Sequence, residues 1–133
     1  MRLLLLSFAL LAAAPLAAQP AGREPEWRQS ADFDVLLEPF DIEPGELRLE
    51  ANRPVRLRFV NSGRRSLSFS APAFFRAARV RSGDGEDLAD GSFRLEAGER
   101  RTILLVPRAG RYGMRSANFF HRLMGMKGRI VVE

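Results

Sequence analysis

The stretch Arg53-Pro54-Val55-Arg56-Leu57-Arg58-Phe59-Val60-Asn61 decides how the rest of the chain is read. Val55, Leu57 and Phe59 alternate with Arg56 and Arg58, and a period of two places the apolar set on one face of a strand. Turn-forming residues stand on either side, Ala51 to Pro54 before it and Asn61-Ser62-Gly63 after it. Working outward, Phe33, Val35 and Leu37 repeat the alternation upstream, and so do Leu47 and Leu49. Downstream, Ile103 to Val106 is a short apolar run, and Ile130 to Val132 closes the chain. Further turn signals fall at Glu43-Pro44-Gly45, Ser82 to Gly85, Asp90-Gly91, Ala97-Gly98 and Ala109-Gly110. Strands spaced about eight to twelve residues apart, without a long helical period, predict an all-β fold, a Greek-key β-sandwich. Ala73 to Val80, entered through Ala71-Pro72, is expected to add one or two helical turns.

Composition removes whole classes of chemistry. The 133 residues suit one domain, and 46% hydrophobic with 28% charged residues suit a folded one. There is no cysteine, hence no disulfide, no thiolate metal site and no cysteine nucleophile. His121 is the only histidine, which excludes His-pair metal sites and multi-His catalysis. The net charge is +5, carried by twenty arginines and Lys127. That skew reads as coding bias rather than a nucleic-acid footprint, because no aromatic-basic stripe accompanies it. A modest positive surface does favour acidic partners or anionic lipid headgroups.

Met1-Arg2, the apolar run Leu3 to Ala13 and the small residues from Ala12 to Ala18 have the pattern of a secretory signal peptide, residues 1–18, cut after Ala18. The run is shorter than the ~20 residues that span a bilayer. No cysteine follows it to carry a lipid. The expectation is a periplasmic or secreted protein with no stable membrane anchor after cleavage. Residues 19–31 read as a flexible lead-in, and 32–133 as the domain.

Several segments in order resemble the cupredoxins, the plastocyanin-like family. They are Pro44-Gly45-Glu46-Leu47-Arg48-Leu49, then Arg53 to Asn61, then Phe93-Arg94-Leu95-Glu96-Ala97-Gly98-Glu99, then Ala109-Gly110-Arg111-Tyr112. The series ends in His121-x-x-x-Gly125-Met126-x-Gly128, running into Ile130-Val131-Val132. The likeness covers nearly all of Phe33 to Glu133. It implies a type 1 copper site of two histidines, a cysteine thiolate and a weak axial methionine. His121 and Met126 match the second histidine and the methionine. The other two positions do not match. The first histidine falls on Leu67 in Leu67-Ser68-Phe69, where the family commonly reads His-Asn-Phe. Alternation puts Tyr112, Met114 and Ser116 on one face, so Ser116 stands at the cysteine position; Asn118 is the alternative if the shorter spacing applies.

The resemblance therefore implies a degenerate copper site. His121 and Met126 remain as candidate ligands for a soft Cu(I), with Met124 as a weaker third, or they are packing residues. Met114 is expected to face the core. The favoured reading is an exported binding or interaction module with copper as a candidate cofactor of weak affinity. The alternatives are a copper-dependent electron carrier and an accessory protein of periplasmic metal uptake. Arg64-Arg65, Arg115, Arg122 and Lys127 belong to segments that meet at the metal end of a cupredoxin, where they would steer an acidic periplasmic partner. Phe119-Phe120 and Phe74-Phe75 read equally as a docking patch or as core. The acidic run Asp84-Gly85-Glu86-Asp87 lacks the spacing of an EF-hand loop and reads as a solvated hairpin loop. An enzyme is not expected: Ser66, Ser68, Ser70 and Ser116 share one histidine, and no Gly-x-Ser-x-Gly elbow occurs.

Overall fold

A computed structural model describes residues 24–88 and 90–133; the expected signal segment lies outside the described residues. Ten strands form two five-stranded sheets. The first sheet is ordered β2 (Asp41–Glu43), β1 (Ala31–Glu38), β4 (Val55–Asn61), β8 (Arg100–Val106), β6 (Arg79–Val80). The second is ordered β3 (Glu46–Leu49), β10 (Lys127–Val132), β9 (Gly110–Arg115), β5 (Leu67–Ser70), β7 (Ser92–Leu95). The described residues also form two short α-helices, α1 (Pro72–Ala77) and α2 (Phe119–Leu123), and a 3-10 turn at Trp27–Gln29.

Both sheets are mixed. β1 runs parallel to β4, with Val35 opposite Phe59, and β10 runs parallel to β3, with Ile130 opposite Leu47. Parallel neighbours need a crossover. The chain supplies it by passing from β1 through β2 into β3 of the other sheet before returning as β4. The alternation in β4 does what it predicts: Val55, Leu57 and Phe59 are buried, and Arg56 and Arg58 face outward against Asp32 and Asp34 of β1 at 2.9 and 2.7 Å. Phe59 joins the sheets, its ring lying 4.8 Å from that of Phe69 and 5.0 Å from that of Phe93. Aromatic rings at such separations pack edge-on or tilted, adding specific attraction to area burial.

At the far end of β4, Asn61 is fully buried and fully bonded. Its Nδ2 donates to the carbonyls of Arg65 and Leu95, and its Oδ1 accepts from the Gly63 amide. This ties β4 to the segments entering β5 and leaving β7, and so fixes the end of the sandwich where Leu67 begins.

The helical expectation for Ala73 to Val80 is met only as far as Ala77 by α1, with Pro72 in its first turn; Arg79 and Val80 instead pair with β8 as β6. Its start is held against Gly91, whose carbonyl accepts from the Ala71 amide at 2.9 Å. A side chain on Gly91 would come within 2.3 Å of the Pro72 Cα, so only glycine fits there. One expectation is corrected: Asp84 is not part of a solvated loop. Its carboxylate accepts from the Leu104 amide at 2.9 Å and from Arg81 at 3.0 Å, and its side chain is only 14% exposed. The segment folds back over Leu104, an outward-facing apolar residue of β8 that would otherwise meet water.

Candidate functional site at the α2 end

The loop from Ser116 to Met126 is built by local rules. Asn118 caps α2, its Oδ1 accepting from the amides of Phe120 and His121 at 2.9 and 3.2 Å. At the other end Gly125 adopts φ 110°, the Gly125 amide donates to Arg122 O, and the Met126 amide donates to His121 O at 3.0 Å. That pair of bonds is a Schellman closure, with His121 and Met126 as its two ends. The five-residue spacing between the candidate ligands is thus the spacing of a helix closure. The Ser116 amide then donates to Met126 O at 2.9 Å and shuts the base of the loop.

Each candidate residue has a definite place. Met126 is buried in the core. Met124 is exposed. Met114 faces the core, as alternation in β9 requires. His121 is part-buried, and its Nδ1 is out of contact with water and has no hydrogen-bond partner. Buried polar nitrogens are nearly always bonded, so this atom calls for an explanation. The Phe40 ring stands edge-on to the imidazole, 5.5 Å between centroids.

The residues that the resemblance assigns to the two remaining ligand positions are each satisfied by a neighbour. Ser116 is fully buried, and its Oγ lies 3.2 Å from Ser68 Oγ. Ser68 Oγ accepts from the amides of Ala117 and Asn118, and Ser116 Oγ accepts from the Asn118 amide. Leu67 is buried opposite Leu95. A type 1 centre does not fit this arrangement: Leu67 has no lone pair, and the Ser116 hydroxyl is neither a thiolate nor free. The single donor that stands ready is His121 Nδ1. Among the described residues no group of three or more His, Cys, Asp or Glu side chains is placed to hold a metal.

The exterior of this end is apolar and charged. The large exposed hydrophobics among the described residues are Phe40, Phe119, Phe120, Leu123 and Met124. Phe40 reaches them across the loop, 6.1 Å from Phe120. A depression of about 810 Å³ holds Phe40, Phe120 and His121 beside Arg64 and Arg65. In β2, which follows Phe40, Asp41 hydrogen-bonds to Glu43 and repels its charge, which raises the Glu43 carboxyl above its ordinary value.

Sequence reasoning missed Phe40. It sits in the two-residue turn between β1 and β2 with φ 67°, a left-handed conformation that costs a bulky residue energy. The signal was available: Pro39 is the favoured second residue of a turn joining two apolar runs.

Comparison with known proteins supports the fold. No protein-family model matches the chain, and no curated protein matches. Solved structures do. A dithionite-reduced auracyanin from the photosynthetic bacterium Roseiflexus castenholzii is 14% identical, with TM-score 0.58, over 78% of this chain and 98% of that one. Auracyanin A, a "blue" copper protein from Chloroflexus aurantiacus, is 16% identical, with TM-score 0.56, over 78% and 99%. A multicopper oxidase from Pseudomonas thermotolerans is 20% identical, with TM-score 0.58, over 78% of this chain and 29% of that one. Matches at this identity speak for architecture alone. The chain has the cupredoxin fold and carries no cysteine.

Proposed function

We propose that the protein is an exported, non-catalytic interaction module that docks an acidic partner through the α2 end of the sandwich. The observation that carries this reading is the gathering of Phe40, Phe119, Phe120, Leu123 and Met124, all exposed, at one end of the fold. Exposed apolar side chains held together on a small domain mark a place of contact. Arg64, Arg65, Arg115, Arg122 and Lys127 surround them and supply steering toward negative charge. Glu38, Asp41 and Glu43 cluster on the β1–β2 hairpin that carries Phe40 and orient the partner by repulsion. Export rests on the pattern of residues 1–18. Ser66, Ser68, Ser70 and Ser116 share one imidazole, and Ser68 and Ser116 already bond each other, which favours binding over catalysis.

A photo-crosslinking residue placed at Phe120 tests the reading in the native cell envelope, with Thr102 on the outer face of β8 as control. Discrete crosslinked species from Phe120 and none from Thr102 are expected. No adduct from Phe120, or equal yields from the two positions, overturns it.

The unbonded His121 Nδ1 favours a second reading, in which this nitrogen and the Met126 thioether hold Cu(I) weakly. Competition with a chromophoric Cu(I) chelator should then show affinity that falls in both His121→Ala and Met126→Ala but not in Met124→Leu. Affinity equal in all four proteins removes the reading.

A further inference from the structure

We propose that the groove between α1 and α2, on the outer face of the second sheet, seats an extended acidic peptide segment of the partner. The inference rests on the docking reading and names the chemistry of what docks. The groove has a volume of about 650 Å³. Its walls carry Arg76 from α1 and Phe119, Arg122 and Leu123 from α2; its floor carries Arg115 of β9 and Lys127 of β10. Among the described residues no carboxylate lines it.

The cations are arranged against their own electrostatic interest. Arg115 and Lys127 are direct cross-strand partners, both exposed, and like charges in that relation repel. Neither they nor Arg76 nor Arg122 takes part in an ion pair among the described residues, whereas Arg56 and Arg58 on the other sheet are each matched with an aspartate. Placement in a last helical turn offers Arg76 and Arg122 some compensation from the helix carbonyls. Arg115 and Lys127 have none. An anionic ligand turns this repulsion into attraction.

Shape and apolar content select the class of anion. Phe119 and Leu123 are 67% and 69% exposed along one wall, so the groove offers apolar contact beside its charges. A free inorganic anion uses none of that wall. A flat bilayer meets the crest of α2 but does not enter a groove whose charges stand on a sheet floor. A strand-like peptide that alternates carboxylates with an apolar residue meets both. Gly113 keeps the floor low; the position its Cβ would take has no atom within 4 Å.

The test is fluorescence anisotropy of a labelled Glu/Asp-rich peptide with one central Phe, titrated with the mature protein at low salt. A peptide with Gln and Asn in place of its acids and vesicles containing phosphatidylglycerol are run alongside. Saturable binding of the acidic peptide is expected, and Arg115→Glu with Lys127→Glu should weaken it about tenfold or more. Gly113→Leu raises the floor without altering charge and should weaken it by about the same factor if the peptide occupies the groove. Full affinity in Gly113→Leu means diffuse attraction and overturns the groove while leaving the docking end intact. Loss on Phe120→Ser with no loss in the groove variants does the same, because Phe120 lies on the other side of α2. Vesicle binding without peptide binding assigns the surface to membrane and overturns the proposal, as does absence of binding to any probe. Thermal melts of each variant separate lost binding from lost folding.

Discussion

Leu67 and Ser116 are the residues on which the chemistry turns. Both are buried at positions the family resemblance assigns to metal ligands, and each is satisfied without metal: Leu67 by apolar packing, Ser116 by a hydroxyl bond to Ser68. With Cu(II) the protein should stay nearly colourless. Leu67→His with Ser116→Cys adds an imidazole and a thiolate to His121 and Met126, and an absorption titration should then show the intense visible band of a copper–thiolate bond. Ser116→Cys alone should give a weaker band that decays as the thiol is oxidised. The double variant without metal should lose about 1–3 kcal/mol in denaturant unfolding, since an imidazole replaces an apolar side chain in a buried place. A colourless double variant would mean that the ligand positions have been reshaped. Alternation along Tyr112, Met114 and Ser116 was enough to place Ser116 inward. It gave no hint of the unbonded His121 Nδ1, because that atom's surroundings come partly from Phe40, eighty-one positions away in the chain.

At the scale of the element, α2 is an exposed helix held by its ends. None of its five side chains is buried, so packing contributes little and the Asn118 cap and Gly125 closure carry it. Asn118→Ala should loosen it by about 0.5–2 kcal/mol, the usual worth of such a cap. Hydrogen exchange checks this directly: the Phe120 and His121 amides, which donate to Asn118, should exchange faster while amides of β4 stay protected. Unchanged exchange at those two amides would show that Phe40, not the cap, holds the element. Neither helix periodicity nor hydropathy could announce α2. A helix this short shows no repeat, and its apolar residues are not turned toward a core.

The whole molecule depends on contact between sheets. Phe59 belongs to the first sheet and meets Phe69 and Phe93 of the second, so Phe59→Ala empties space that both sheets enclose. A loss of about 3–5 kcal/mol in urea unfolding is expected. Because one core serves both sheets, the transition should remain single by far-UV and near-UV circular dichroism. Separate transitions for the two probes would show that the sheets fold as independent units. The surface ion pairs Arg56–Asp32 and Arg58–Asp34 are half-exposed and add little by comparison.

The sequence by itself determined the strand character of Val55 to Asn61, through a period of two that only a strand can satisfy. It also removed thiolate and multi-histidine chemistry, because composition needs no fold to be read. What only tertiary structure decided is plainest in two identical dipeptides. Phe74-Phe75 and Phe119-Phe120 both sit on short helices, and each was open to either reading. Phe74 packs 5.5 Å from Tyr112 and Phe75 lies 6.2 Å from Phe69, so the first pair is core. The second pair is buried by no other segment among the described residues and stays in solvent. A dipeptide carries the same hydrophobic content in either place; whether water is removed from it depends on which distant segment arrives to cover it, and that is settled by topology.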